Sequence, residues 1–402
     1  MSETKMKIDI IRENNVFIKR DGKYDLKRSL DLGGIFGGEC YDEEGFFHLV
    51  NEPEEKTLKR IDRTINNGHH SVYAHNSISF NMENVPKMIA MIINNEKEYN
   101  TSEKSGRYTL IKKGEGDAIS DREIEIYNKW VDKLQIKIKE EYGEVFNDSK
   151  IKKLAQENSR YLLSIFMPTK MVYSTSLRQI NYIASWIKEY VDKHDESNPF
   201  ESRLSRLLNE FYDCLDNTGV LLPALMKNEK QRKLSLFNNN LDKRIEYYGD
   251  IYLTKYKGSF VELAQALRHR TLDYEMSFPD KKEYYLPPIL EDDKVLSKEW
   301  INDISSLGDV YPQGMLVNVC ESGKYEDFIL KCKERLCSSA QIEIMIQTKD
   351  TLKKYKNALE KSNHYLYEDI IKYTKGSRCT FPGYVCTELC NFKEGIKGTR
   401  RI

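Results

Sequence analysis

The densest group of residues able to do chemistry is Gln265, Arg268, His269 and Arg270, in the stretch SFVELAQALRHRTLDYEMSF. The apolar periodicity predicts a helix from Ser259 through Arg270, and on it Gln265 shares a face with Arg268 and His269. Three consecutive basic groups are costly to bury without an anion. Two guanidiniums suit a diphosphate, and an imidazole can stack on or hydrogen-bond to a ring. The alternative is a basic helix terminus that interacts with its own dipole, and spacing alone favours neither.

A second candidate site is the stretch EKSGRY, which contains Glu103, Ser105, Arg107 and Tyr108. Ser and Gly allow backbone amides to turn toward a ligand, and Arg107 supplies a forked donor, so the stretch could bind a nucleotide phosphate. Taken alone, a polar surface turn is the stronger interpretation.

Paired histidines follow the glycine in GHHS, at His69 and His70, with Ser71 next and His75 nearby. Such a pair raises the hypothesis of a metal site. Carboxylate or cysteine partners do not lie at a recognisable spacing, so no metal is predicted.

The fourth candidate is Arg335, which precedes Ala340, Gln341 and Glu343 in a segment that reads as helical from Lys324 to about Lys361. One face of this helix would carry Arg335 among small and apolar residues, namely Cys332, Ser339 and Ile342. An arginine so placed either pairs with a buried acid or faces a ligand.

Segments with helical and strand periodicity alternate along the chain, which predicts a mixed α and β fold. A polar stretch at 228–240 ends in asparagines and reads as a linker. Helices are predicted at 53–67, 86–93, 121–145, 177–191 and 202–215, and strands at 77–81 and 247–253.

Composition excludes several classes of protein. The 402 residues contain 63 Lys plus Arg and 63 Asp plus Glu, so no global field favours nucleic acid or an anionic membrane. The polar amino-terminal segment lacks the apolar core of a signal peptide, and no apolar run approaches the ~18 residues that span a bilayer. Eight scattered cysteines form no disulfide framework. We expect a cytoplasmic protein.

The first half of the chain, from GHHSVYAHNSISF through SGRY to LRQINYIASWI, resembles the flavin-dependent thymidylate synthases. Their pattern runs G-H-x-S/T, R-H-R, a glutamate with S-x-R-Y, an A-R pair, an N-x-R helix start and R-x4-A-Q-x-E-I. Where the family has R-H-R, this half has Asn95-Glu96-Lys97, and the late arginine falls at about Ile187. The matching residues of this half are Gly68, His69, Ser71, Glu103, Ser105, Arg107, Tyr108, Arg160 and Arg178.

The second half complements the first. It has Gln265, the R-H-R motif at 268–270, and Arg335 followed by Ala340-Gln341-x-Glu343-Ile344. Where S-x-R-Y belongs, it reads Ser277-Phe278-Pro279-Asp280. Because each half keeps what the other lacks, we predict two fused copies of a family unit whose members are homotetramers with shared active sites. The copies are residues 1–230 and 231–402, each a β-sheet flanked by long helices, with a cysteine-containing tail at 376–402 that lies outside the resemblance.

The resemblance implies methylation of dUMP to dTMP, with FAD as cofactor and NADPH and methylenetetrahydrofolate as co-substrates. It implies that Arg335 polarises the pyrimidine ring. It also implies one composite site per chain and a homodimer that forms a pseudo-tetramer. The implied nucleotide-binding residues are Glu103, Ser105, Arg107, Arg160 and Gln265, and the implied flavin-binding residues are His69, Ser71, Arg178, Arg268, His269 and Arg270.

Two departures from the family concern the flavin side: Ala74 replaces a glutamate and Ser176 replaces the asparagine of the helix start. Alternatives therefore stay open. The same scaffold could methylate UMP or hydroxymethylate dUMP, or the chain could bind nucleotide or flavin without turnover.

Overall fold

A computed structural model of the chain describes residues 5–14, 16–18, 24–104, 119–227, 232–387, 390 and 399–402. Ser105, Arg107 and Tyr108 of the predicted phosphate loop lie outside the described residues. The elements, in chain order, are β1 Lys7–Glu13, β2 Val16–Phe17, α1 Leu26–Gly38, α2 Phe46–Asn51, α3 Glu54–Asn66, β3 Ser77–Pro86, α4 Lys87–Ile93, β4 Asn100–Glu103, α5 Asp121–Tyr142, α6 Asp148–Ser159, β5 Pro168–Ser176, α7 Leu177–Lys193, α8 Pro199–Asp216, α9 Pro223–Met226, β6 Tyr247–Tyr248, β7 Ile251–Ser259, α10 Phe260–Ala266, β8 Asp273–Ser277, α11 Lys294–Ser306, β9 Leu316–Lys324, α12 Tyr325–Arg335, α13 Ile342–Ser362 and α14 Tyr367–Ile370.

The chain divides into two compact units. The first comprises the described parts of Met1–Lys104 and Pro168–Ser235, and the second those of Ser105–Met167 and Leu236–Ile402. These units are defined by packing, and they assign α5 and α6 to the second unit although both helices precede β5. The division at residue 230 concerns copies in the sequence, and it stays a prediction.

The first unit contains an antiparallel sheet with the strand order β2-β1-β3-β5-β4. Residues alternate between buried and more exposed along β5, as expected for a strand with one face against the core. The predicted helix at 53–67 is α3, and Gly68 follows it with a φ of 73°, a left-handed conformation that glycine adopts without strain.

The second unit contains an antiparallel sheet with the order β6-β7-β9-β8. The predicted strand at 247–253 is a pair of strands, β6 and β7, which pair with each other. A core of the second unit includes Trp130 and Trp300, packed edge to face with their ring centroids 4.9 Å apart. Ile402 from the tail is buried in the same core. The tail that the sequence left unexplained is thus anchored at its last residues.

The two sheets share a local order of elements. In each, a strand leads directly into a seven-residue helix, then a turn and a short strand, and later a nine-residue strand leads into another helix. These elements are β3, α4, β4, β5 and α7 in the first unit, and β7, α10, β8, β9 and α12 in the second. In the first sheet β5 lies between β3 and β4, and in the second sheet β9 lies between β7 and β8. The predicted mixed α and β fold is confirmed.

The polar stretch at 228–240 differs from an ordinary linker. Among its described residues, Leu234 in the first unit and Leu236 in the second unit are buried. Composition missed this because two leucines among many polar residues carry little signal. No helix within the described ranges is long and apolar enough to cross a membrane.

Candidate functional site

Arg335 and His269 meet in the second unit, although 66 positions separate them in sequence. The Arg335 Nε donates a hydrogen bond to His269 Nε2 at 2.7 Å, and Arg335 Nη2 donates to the Gln265 carbonyl at 3.2 Å. His269 and Gln265 are buried, and Arg335 is half-buried. Three predicted site residues from two separate motifs therefore form one hydrogen-bonded group.

The imidazole in this group is neutral. Burial, together with the nearby cations Arg335 and Lys331, lowers the pKa of His269 to about 2. Because Arg335 Nε can only donate, His269 Nε2 accepts, and the ring proton belongs on Nδ1. The carboxylate of Glu334 lies 3.7 Å from that nitrogen. Arg335 is therefore a cation next to an imidazole ring that carries no charge.

The R-H-R residues lie in turns, which corrects the prediction of a helix through Arg270. Helix α10 ends at Ala266, after which backbone bonds run from Arg268 to Gln265 and from His269 to Ala266. These three-residue steps tighten the chain and direct His269 inward, while Arg268 and Arg270 are exposed. Two cations therefore flank a buried neutral ring at the surface of the unit.

The prediction that Arg335 lies inside one long helix is wrong. Arg335 is the last residue of α12, Leu336 leaves the helical region with ψ 53°, and α13 begins at Ile342. The Gln341 side chain caps α13 by accepting from the Ile344 amide at 3.0 Å. The proposed stripe of Arg335 with Ser339 and Ile342 therefore does not exist. Helical periodicity continued across the break because the intervening residues are small or apolar.

Glu343, which belongs to the motif at residues 335–344, connects that motif to the start of α10. Its carboxylate accepts from the Ser259 amide at 2.8 Å, from the Ser259 hydroxyl at 2.6 Å and from the Tyr161 hydroxyl at 2.9 Å. Burial raises the pKa of Glu343, while these hydrogen bonds and the nearby Arg160 oppose that rise. Glu343 thus fixes one end of α10, and the turn at the other end presents His269 to Arg335.

A buried ion pair lies one helical turn before Arg335. Lys331 donates to Glu321 at 2.5 Å and to Gln347 at 2.9 Å, and both members of the pair have fully buried side chains. Tyr252 donates to the same glutamate at 2.7 Å. The sequence patterns above did not single out Lys331 or Glu321. The available signal was the spacing of Lys331 and Arg335, which places two cations on one face of α12.

Four predicted site residues, His69, Ser71, Glu103 and Arg178, belong to the first unit. His69 and Ser71 are exposed. Ser71 lies in the 3-10 turn His70–Ala74 that follows α3, and His69 immediately precedes this turn. Glu103 accepts from Lys87 at 2.5 Å. Arg178 is half-buried near the start of α7 with its guanidinium 5.9 Å from the Tyr182 ring centroid. Within the described part of the first unit, no hydrogen bond or ion pair joins these four residues to one another.

Arg160 belongs to the second unit, where it is buried at the end of α6 near Glu343.

The histidine pair gives no metal site: His70 Nε2 lies 3.0 Å from the Ile65 carbonyl, and its Nδ1 lies 3.3 Å from the Tyr182 hydroxyl. Both ring nitrogens are therefore occupied. Within the described ranges, no group of three or more His, Cys, Asp or Glu residues could hold a metal ion.

Comparisons with known proteins give a match to one family model and matches to a number of solved structures, two of which are described below. Residues 36–186 match the family model described as thymidylate synthase complementing protein, which confirms the resemblance over that span. No curated protein sequence matches the chain.

Two of the matching solved structures have low sequence identity and low TM-scores. A UMP/dUMP methylase, PolB, from Streptomyces cacaoi, bound with 5-Br dUMP, is 14% identical with a TM-score of 0.36, over 55% of this chain and 93% of its own. Thymidylate synthase X from Helicobacter pylori, with FAD and dUMP, is 15% identical with a TM-score of 0.31, over 56% of this chain and 100% of its own.

Proposed function

We propose that this chain is a flavin-dependent enzyme that methylates dUMP to dTMP, with one composite active site per chain. FAD is its cofactor, and NADPH and methylenetetrahydrofolate are its co-substrates. The observation that carries the proposal is the hydrogen bond between Arg335 and His269, because it joins two motifs that the family pattern requires in one site. The family match over 36–186 supports the complementary half.

The residues present fit a flavin with phosphates. Arg268 and Arg270 are exposed on either side of buried His269, and two guanidiniums can each bind phosphate oxygens through paired hydrogen bonds. In the first unit, Arg178 Nε is buried without a hydrogen-bond partner among the described residues, as expected of a donor that a ligand would satisfy. Bound FAD would supply the hydride that completes the methyl group.

Arg335 has the charge and setting for the catalytic role. Its guanidinium stays protonated at all accessible pH values, and its Nε and Nη2 are fixed by His269 and the Gln265 carbonyl. A cation held in this way stabilises negative charge that develops on the pyrimidine ring without reorganising during the reaction. His269, being neutral, orients the guanidinium and leaves its charge undiminished.

The nucleotide would be held by residues of both halves. Ser105 and Arg107 are proposed to bind the phosphate, with Glu103, Arg160 and Gln265 completing the pocket, while His69 and Ser71 approach the flavin. The shared order of β3, α4, β4, β5 and α7 with β7, α10, β8, β9 and α12 supports an origin by duplication. Two chains would then form a pseudo-tetramer.

Spectroscopy of the purified protein tests the flavin part of this proposal. The protein reconstituted with FAD should show a visible flavin spectrum that NADPH bleaches in the absence of oxygen. His269→Ala should weaken FAD binding, whereas His75→Ala, which changes an exposed histidine, should not. Absence of FAD binding by the unaltered protein at high protein concentration would overturn the proposal.

A further inference from the structure

The first unit contains a turn that corresponds to the one carrying His269 in the second unit. In the first unit, another segment of the same chain binds this turn. Glu96 is the third residue after the end of α4, just as His269 is the third residue after the end of α10. Both turns lead into the short outer strand of their sheet, β4 or β8. Glu96 therefore stands where the second unit has its buried imidazole.

The Glu96 carboxylate is fully buried and fully engaged by the chain itself. It accepts from Arg232 Nη2 at 2.5 Å, from the Ser235 amide at 2.7 Å and from the Ser235 hydroxyl at 3.0 Å. Asn95 donates its Nδ2 to the same hydroxyl at 2.8 Å. Hydrogen bonds from a guanidinium to a carboxylate are strong, and a carboxylate at this position repels phosphate.

Arg232 also contacts the helix that follows β5. Its guanidinium lies 3.7 Å from the ring centroid of Trp186 on α7. The next residue, Ile187, is buried and occupies the eleventh position of α7, which is the position of Arg335 in α12. The first unit thus lacks the helix-borne arginine and has instead a guanidinium from the segment that ends the unit.

We propose that the turn containing Glu96 in the first unit is a docking site for the chain's own segment 232–235. We call this segment the linker clasp. Arg232 and Ser235 bind Glu96, and Leu234 between them is buried. The clasp fixes the chain where it leaves the first unit, and it closes this copy of the turn to an anionic ligand. This role differs from the proposed methylation and does not depend on it.

Hydrogen exchange of the Ser235 amide tests the clasp on the full chain without ligand. Arg232→Ala removes the cation and should speed this exchange by about tenfold or more, because opening of the segment no longer has to break a hydrogen bond between two charged groups. Arg206→Ala removes an exposed arginine from α8 and should leave the exchange unchanged. The Asn94 amide, which bonds to the Ala90 carbonyl at 3.0 Å, reports whether α4 stays folded.

Arg232→Lys provides a second variant that keeps a cation for Glu96 and therefore favours folding. Lysine lacks the planar group that stacks on Trp186, so Ser235 should exchange faster than in the unaltered chain and slower than in Arg232→Ala. Unchanged exchange in both Arg232 variants, with α4 intact, would overturn the clasp. Because no flavin or nucleotide is present, this outcome is independent of whether the chain is an enzyme.

Discussion

Arg335 and His269 are joined by one hydrogen bond, and the two side chains have different roles in the proposed reaction. Arg335 supplies the charge, and His269 supplies a fixed acceptor that carries none. Their types could be predicted from the sequence, but their contact could not, because it depends on how two helices end. The neutral state of the histidine also depends on burial, which periodicity does not measure.

Replacing Arg335 should affect the chemical step more than binding. In Arg335→Ala we expect methyl transfer to fall by ~100-fold or more, because one preorganised donor to developing charge is worth that much. Binding of dUMP and FAD should persist. Single-turnover rates and equilibrium binding separate the two effects, and Lys298→Ala on α11 is the matched control. Turnover at the unaltered rate in Arg335→Ala would refute this role.

The buried neutral histidine predicts a pH dependence of stability. The pKa of His269 is about 2 in the folded chain against an ordinary 6.5. Between these values the unfolded chain binds a proton that the folded chain does not, so this group lowers the free energy of unfolding as pH falls below 6.5. His269→Gln should reduce the loss of stability between about pH 7 and about pH 5.

Urea unfolding across that range measures the effect, with His75→Gln as the control at an exposed histidine. If His269→Gln and the unaltered chain lose the same stability on acidification, the imidazole is not held neutral in the folded protein.

At the scale of elements, the short helix α10 is held at both ends. Glu343 from the start of α13 binds Ser259 before α10, and the turn after α10 carries His269 to Arg335 at the end of α12. The motif at residues 335–344 therefore contributes Arg335 from α12 and Glu343 from α13. Its glutamate acts as a structural partner for α10.

Glu343→Ala should destabilise the second unit by about 3 kcal/mol, because the Ser259 amide and hydroxyl and the Tyr161 hydroxyl lose a buried acceptor. Denaturant unfolding measures the change. Glu360→Ala removes an exposed glutamate from the same helix and should change stability by less than about 0.5 kcal/mol. Equal effects of the two substitutions would contradict the structural role of Glu343.

Element type was largely predictable from the sequence, and element ends were not. The helices at 121–145 and 177–191 and the strand at 77–81 were located because their apolar periodicity is long or regular. The break between α12 and α13 was missed because Leu336 through Ala340 are small or apolar and fit a helical pattern. The Glu96 contact with Arg232 was missed because 136 positions separate the pair.

At the scale of the whole molecule, the division of motifs between the halves predicts one competent site per chain. Ser277-Phe278-Pro279 cannot supply a phosphate arginine, and Glu96 places an acid where flavin phosphates need cations. Titration with dUMP should therefore saturate near one equivalent per chain. Two equivalents of tight binding would mean that both sites survive.

Mixing variants reports how the site is assembled. Arg107→Ala and Arg268→Ala should each abolish activity alone, since each removes a group from the same proposed site. A mixture of the two variants regains activity only if the halves complement between chains. Sedimentation of the unaltered protein should show a dimer of chains, and a monomer with full activity would contradict the pseudo-tetramer.

The most direct test of the central claim is the product made from dUMP. The purified protein is incubated with FAD, NADPH and methylenetetrahydrofolate labelled in its one-carbon unit, and the nucleotide is analysed by mass spectrometry alongside an Arg335→Ala reaction. We expect dTMP that carries the label, formed only when FAD is present and lost in the variant. Recovery of unchanged dUMP, or of a hydroxymethyl product instead of dTMP, would contradict it.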